Sequence, residues 1–114
     1  MQEKKVEQFA KERKKLNEIV MQYAGTNIKR FFTLDSQAYE SGEIPSKYKE
    51  LMGLVGSLVL RCDDCINYHI IQCFEAGVSD AELMESLNIG LVIGGSITIP
   101  HLRRALQSWD ELHK

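Results

Sequence analysis

The chain has 114 residues, 44% of them hydrophobic and 26% charged, with a formal net charge of -2 at pH 7. That is the make-up of an ordinary soluble domain, and it lacks the basic face with which a nucleic-acid binder releases counterions. The longest apolar stretch, Leu87 to Pro100, is interrupted by Asn88, by glycines, by Ser96 and by Thr98, and it falls short of the roughly 20 residues that cross a bilayer.

Strand signals are scarce, and apolar residues recur at helical spacing almost throughout. The spacing predicts a first helix from Glu3 to Tyr23 with Val6, Phe9, Leu16, Val20 and Tyr23 on its inner face. Lys11, Arg13, Lys14 and Lys15 then form a solvated face. Gly25-Thr26-Asn27 separates it from a second helix through Phe31, Phe32, Leu34 and Tyr39, stopped at Ser41-Gly42. Ile44-Pro45-Ser46 leads into a third, Lys47 to about Arg61, with Leu51, Leu54, Val55, Leu58 and Val59 inward. Gly53 and Gly56 weaken this helix, which implies that a neighbouring helix packs closely there.

The fourth helix is expected to start near Cys62 and to end at Gly77, a left-handed C-cap. Ser79-Asp80-Ala81-Glu82 reads as a capping box opening the fifth. The fifth helix is apolar nearly all round through Ile89, Leu91, Val92 and Ile93. Such a helix needs burial on several sides, and in a short chain this predicts a second subunit. Gly94-Gly95 ends it. Thr98 is the expected cap of a last helix with Pro100 in its first turn and Leu102, Leu106, Trp109 and Leu112 inside. The expected architecture is therefore all-α, one domain over residues 1–114, a bundle of about six helices that associates into an oligomer.

The residues from Met1 to Glu7 contain no apolar signal core, so a cytoplasmic location is expected. The chain has three cysteines, an odd number that suits a secreted disulfide scaffold poorly. In a reducing compartment a close pair is catalytic or metal-binding more often than structural.

That pair is Cys62 and Cys65, with His69 four residues further on. On a helix these positions share one face. A thiol near a helix N-terminus ionises more readily, and an imidazole one turn away is placed to take a proton from Cys65. Cβ atoms three apart on a helix are roughly 5–6 Å apart, whereas a relaxed disulfide needs about 3.5–4.5 Å. Closure therefore requires Cys62 at the non-helical edge, and a bond formed there would be readily reduced. Asp63 and Asp64 oppose thiolate formation and otherwise read as acidic first-turn residues. Cys65 is expected to react first because it lies nearer His69, with Cys62 the more accessible, resolving thiol. Cys73 reads as packing. Tyr68 lines a pocket or fills core, and His101 starts the last helix.

These residues resemble the alkylhydroperoxidase D-like branch of the carboxymuconolactone decarboxylase family. That branch has a Glu ahead of a Cys-x-x-Cys-x-x-x-His motif, matched here by Glu50 and by Cys62, Cys65 and His69. Ile44-Pro45, Ala76-Gly77-Val78-Ser79 with Glu82, and the run from Gly94 to Arg103 match as well, so the motif-bearing core covers about residues 44–105. The chain departs from the alkylhydroperoxidase in having Asp64 where that enzyme has a His. The resemblance implies an all-helical fold, trimers or hexamers, and thiol-dependent peroxide reduction. One Cys would attack the peroxide, the other would resolve the sulfenic acid, and Glu50 and His69 would relay protons. A peroxide and a dithiol or protein reductant are the implied partners, and no cofactor is expected.

Two other readings of the same residues stand beside it. Cys62, Cys65 and His69, with Glu50 or Cys73, could ligate zinc or iron, although consecutive turns of one helix make a poor tetrahedron. Alternatively His69 and Glu50 serve a decarboxylase-like acid–base reaction in which the thiols are incidental.

Overall fold

The computed structural model describes residues 3–114. Met1 and Gln2, the start of the expected domain, lie outside the described residues. Those residues form helices α1 (Lys5–Tyr23), α2 (Thr26–Ala38), α3 (Ser46–Val59), α4 (Asp63–Glu75), α5 (Asp80–Gly94) and α6 (Ile99–Leu112), with a 3-10 turn at Ser96–Thr98 before α6. The all-helical expectation holds, element for element.

The core lies between α3, α4, α5 and α6. Leu54, Leu58, Ile66, Ile70, Leu83 and Leu87 are essentially solvent-free, and Leu51, Cys73, Val78, Ala105 and Trp109 complete the cluster. Shortening any one of the fully buried leucines or isoleucines to Ala would cost about 2–5 kcal/mol. The inner faces predicted for α3 and α6 are correct in their main members. Val55 and Val59 on α3, and Leu102, Leu106 and Leu112 on α6, are half-buried rims of that core.

Both helix junctions around α4 are built by local backbone chemistry. At its C-terminus Gly77 has φ +80°, and the Gly77 and Val78 amides donate to the carbonyls of Phe74 and Cys73, a Schellman closure. The same closure ends α3. The Arg61 and Cys62 amides donate to the carbonyls of Leu58 and Ser57, but the left-handed residue is Arg61, φ +59°, not a glycine. This three-residue link sets Cys62 directly ahead of α4. α5 opens with the predicted capping box, in which the Glu82 amide donates to Ser79 Oγ and Glu82 Oε1 accepts from the Ser79 amide. Thr98, the expected side-chain cap of α6, behaves differently: its hydroxyl donates to the Gly95 carbonyl.

The first two helices depart from the sequence reading. On α1 only Val6 is buried. Leu16 and Val20 are exposed and Tyr23 is 85% exposed. α2 has no buried residue at all. The radius of gyration, 14.7 Å, accordingly exceeds the roughly 13 Å of a compact chain of this size. α5 likewise buries Leu83, Leu87 and Gly90 but leaves Ile89, Val92 and Ile93 open to solvent, Val92 at 82%. The apolar faces are real, but the chain alone does not cover them.

Candidate active site

Cys62 is the N-cap of α4, with extended backbone (φ -100°, ψ 96°) and its sulfur accepting the Cys65 amide at 3.3 Å. Being outside the helix, its side chain turns back over the first turn, so the two sulfurs lie 2.8 Å apart. This is the non-helical placement that a Cys-x-x-Cys pair needs for closure. Both cysteines are free thiols here. The hydrogen bond to Cys62, then burial, then negative charge on Cys62 and Asp64 push the Cys65 thiol up to about 11. Asp64 thus acts as the sequence suggests, against a Cys65 thiolate. The accessibility expectation is reversed, for Cys65 is exposed and Cys62 half-buried.

Glu50 and His69, from the middle of α3 and α4, meet across the helix interface. His69 Nδ1 donates to Glu50 Oε1 at 2.8 Å, with both side chains 8% exposed. The Tyr39 hydroxyl contacts His69 Nε2 at 3.3 Å. Both ring nitrogens are thereby engaged, and neither is bonded to Cys65. The imidazole–thiol pairing expected from helix spacing is not a hydrogen bond here; the Tyr39 hydroxyl, one residue beyond α2, is at Nε2 instead. Tyr39 entered the sequence reading only as an apolar helix position; nothing in its spacing signalled this contact.

Cys65 and His69 open into a cleft of about 330 Å³ lined also by Asp64 and Tyr68 of α4, Phe32 and Asp35 of α2, and Phe9, Glu12, Arg13, Leu16 and Asn17 of α1. Arg13, read as part of a solvated basic face, instead lays its guanidinium over the Tyr68 ring, 4.0 Å from the centroid. That is a cation–π arrangement. Tyr68 is therefore a cleft wall rather than core. Burial and the charge of Glu50 raise its pKa, so it stays a neutral phenol.

Other candidates fall away from the sulfurs. Cys73 is fully buried, and burial pushes its thiol up to about 12, as suits packing. His101 Nδ1 donates to Asp63 Oδ1 at 2.7 Å, and Arg104 Nε donates to Asp63 Oδ2 at 2.9 Å. Burial works against the Asp63 charge, but these hydrogen bonds prevail and lower its pKa. The cluster ties the start of α4 to α6. Among the described residues no group of three or more His, Cys, Asp or Glu side chains is arranged to hold a metal ion. Glu50 is bonded to His69 Nδ1, and Cys73 is sealed in the core.

A sequence profile of the carboxymuconolactone decarboxylase family matches residues 27–108. The chain belongs to that family. Two crystal structures of a Thermotoga maritima member are 55% and 56% identical to it, with TM-scores of 0.91 and 0.87, covering 93% of this chain and 93% and 90% of theirs. Involvement in an antioxidative response has been suggested for that protein. A Legionella pneumophila family protein, 22% identical, shares the fold over 96% of this chain and 98% of its own, with a TM-score of 0.89. An uncharacterised protein of Cupriavidus necator is 29% identical over 76 residues, 67% of either chain. The family segment begins at residue 27, so every cleft residue contributed by α1 lies outside it. The thiols and the buried Glu50–His69 pair lie within the matched segment, and one wall of the cleft comes from α1, ahead of it.

Proposed function

We propose that the protein is a thiol-dependent peroxidase and disulfide reductase in which Cys62 and Cys65 cycle between dithiol and disulfide. The observation that carries this reading is the 2.8 Å approach of two free sulfurs at the start of α4, one of them opening into a cleft shared with His69. A structural role would need neither exposure nor a cleft. An acid–base role alone would leave the paired sulfurs without purpose.

Cys65 is the sulfur that meets the peroxide, because it is the one lining the cleft. In the singly ionised pair a proton moves from Cys65 to Cys62 across their contact as Cys65 attacks one peroxide oxygen. The S–O bond forms, the O–O bond breaks, and the alkoxide takes a proton to leave as alcohol. Cys62 then attacks the Cys65 sulfenic acid. The S–S bond forms, the S–O bond breaks, and hydroxide takes a proton to leave as water. The oxidative half consumes one proton beyond those on the thiol pair and the peroxide, and the reductive half releases it. The buried Glu50–His69 pair is the general acid–base group beside the cleft. A small dithiol or a protein thiol returns two electrons by thiol–disulfide exchange.

The single domain, its cytoplasmic setting and its assembly as a trimer or hexamer belong to the same reading. No helix among the described residues is long and apolar enough to cross a membrane. The open apolar faces of α1, α2 and α5 suit a homo-oligomer interface.

The deciding experiment is a peroxidase assay with several dithiol donors on the wild type and on Cys62→Ser. Turnover that is dithiol-dependent and lost in the variant is expected. Peroxide consumption that is absent with every donor, or unchanged in Cys62→Ser, overturns the reading.

A further inference from the structure

We propose that Tyr39 is a positioning residue of this site, its hydroxyl holding Nε2 of the His69 ring that Glu50 holds at Nδ1. The proposal rests on the thiol-redox reading above and concerns a residue that the Cys-x-x-Cys-x-x-x-His pattern does not contain.

The first observation is the engagement of both ring nitrogens, by Glu50 at 2.8 Å and by Tyr39 at 3.3 Å, around a buried imidazole. A ring that carries protons changes what Nε2 requires. Neutral, with its proton on Nδ1 facing the carboxylate, it needs a donor at Nε2; protonated, it needs an acceptor there. A phenol hydroxyl serves both states by rotating its O–H bond. A carboxylate could only accept and an ammonium only donate. Burial, with the charges of Asp35 and Glu50, raises the pKa of Tyr39, so the group remains a hydroxyl able to do both.

The second observation is Gly53. A Cβ at that position would lie 2.6 Å from the Tyr39 hydroxyl oxygen, 2.6 Å from His69 Cε1 and 2.7 Å from His69 Nε2. No side chain fits there without breaking the contact. A mid-helix glycine costs about 1 kcal/mol in helix propensity, and at residue 53 it is what lets α2, α3 and α4 meet at one hydrogen bond. Gly56, three residues on, has nothing within 4 Å of such a Cβ.

The third is placement. Tyr39 caps α2 and lines a second cleft with Gly53, Gly56, Ser57 and Leu60, one that does not include Cys65. Tyr39 therefore stands between the buried imidazole and a cleft in which Cys65 takes no part. Phe32 and Asp35 of α2 line the Cys65 cleft, and Tyr39 at the α2 C-cap makes the hydrogen bond to the imidazole.

The test is Tyr39→Phe, which keeps the ring and deletes the hydroxyl, beside Gly53→Ala, which keeps the hydroxyl and displaces it. In ¹⁵N-labelled protein the His69 Nε2 resonance is expected to move toward that of a free imine nitrogen in both variants. Far-UV circular dichroism should stay as in the wild type. The rate of Cys65 oxidation should fall roughly three- to tenfold in Tyr39→Phe, the scale of one neutral hydrogen bond, and further in Gly53→Ala. The rate is read with hydrogen peroxide and with a small disulfide. Inertness of the wild type to peroxide alone therefore counts against the peroxidase reading, while the Tyr39 comparison proceeds on the disulfide. An unmoved Nε2 resonance in Tyr39→Phe, a moved resonance with an unchanged rate, or a wild type inert to both oxidants overturns the proposal.

Discussion

Glu50 and His69 are 19 residues apart in sequence and 2.8 Å apart in the fold, both buried. The pair joins α3 to α4 through a buried hydrogen bond, and Tyr39 takes the other ring nitrogen. Glu50→Gln keeps the shape and a hydrogen-bonding partner, so it should fold like the wild type while slowing thiol oxidation about 10²–10⁴-fold, the usual scale for a general acid or base. His69→Ala should slow it as much and also lose about 1–3 kcal/mol of stability, because it leaves a buried carboxylate without its donor. Stopped-flow oxidation and urea unfolding together check both. Wild-type rates in the two variants would leave only the thiols as working parts.

The raised pKa of Cys65 makes a pH prediction. Its leading cause is the hydrogen bond to Cys62, and charge on Cys62 adds to it, so deleting that sulfur should release the proton earlier. In the wild type, alkylation of Cys65 should keep climbing to about pH 11. In Cys62→Ser the same curve should shift to lower pH, with Cys65 alkylated faster at pH 8. The sign for stability follows: a thiol held protonated in the fold but not in the unfolded chain disfavours folding as pH rises from its unfolded value toward 11. Mass-spectrometric labelling rates across pH measure the shift; coincident curves would remove the proton shared between the sulfurs.

Mild peroxide treatment should link Cys62 to Cys65 and leave Cys73 untouched. The first two sulfurs are 2.8 Å apart, whereas Cys73 is fully buried two turns along α4. Peptide mapping reads this directly, and a bridge to Cys73 would contradict the helix.

Arg61 sits in the left-handed region, φ +59°, at the position where a helix-ending closure favours glycine. Arg61→Gly should stabilise the protein by up to about 1 kcal/mol by removing the strain of a side chain in that conformation. The α3–α4 link, and with it the placement of Cys62, should be unchanged. A lower melting temperature would show that the Arg61 side chain contributes contacts that outweigh the strain.

Val92, Ile93 and Ile89 stand exposed on α5, with Phe31 and Leu34 on α2. A trimer or hexamer is expected by sedimentation at micromolar concentration, and Val92→Glu should shift it toward smaller species. A stable, folded wild-type monomer under those conditions would end this expectation.

Much of the fold was legible along the chain because its signals are local. The capping box at Ser79 and Glu82, the left-handed Gly77 and the Pro100 helix start depend on neighbours within a turn, and all three are in place. The inner faces of α3 and α6 follow from periodicity, since each packs one stripe on the core. Periodicity failed for α1 and α2, where Leu16, Tyr23 and Phe31 repeat like core residues but remain open. A helical repeat records that a face is apolar, not what covers it.

The sequence by itself determined the helices and the Cys62–Cys65–His69 spacing, and through the family resemblance it singled out Glu50. Spacing on one helix fixes which side chains share a face, and that much is local geometry. Only the tertiary structure decided which of them touch. It gave the Glu50 carboxylate to Nδ1 of His69, gave Nε2 to Tyr39 instead of Cys65, and laid Arg13 over Tyr68 at the cleft mouth. These contacts join α1, α2, α3 and α4, whose mutual packing is set by core volume and by the missing side chain at Gly53. No local pattern encodes them, because each depends on the distance between helices and not on the order of residues within one.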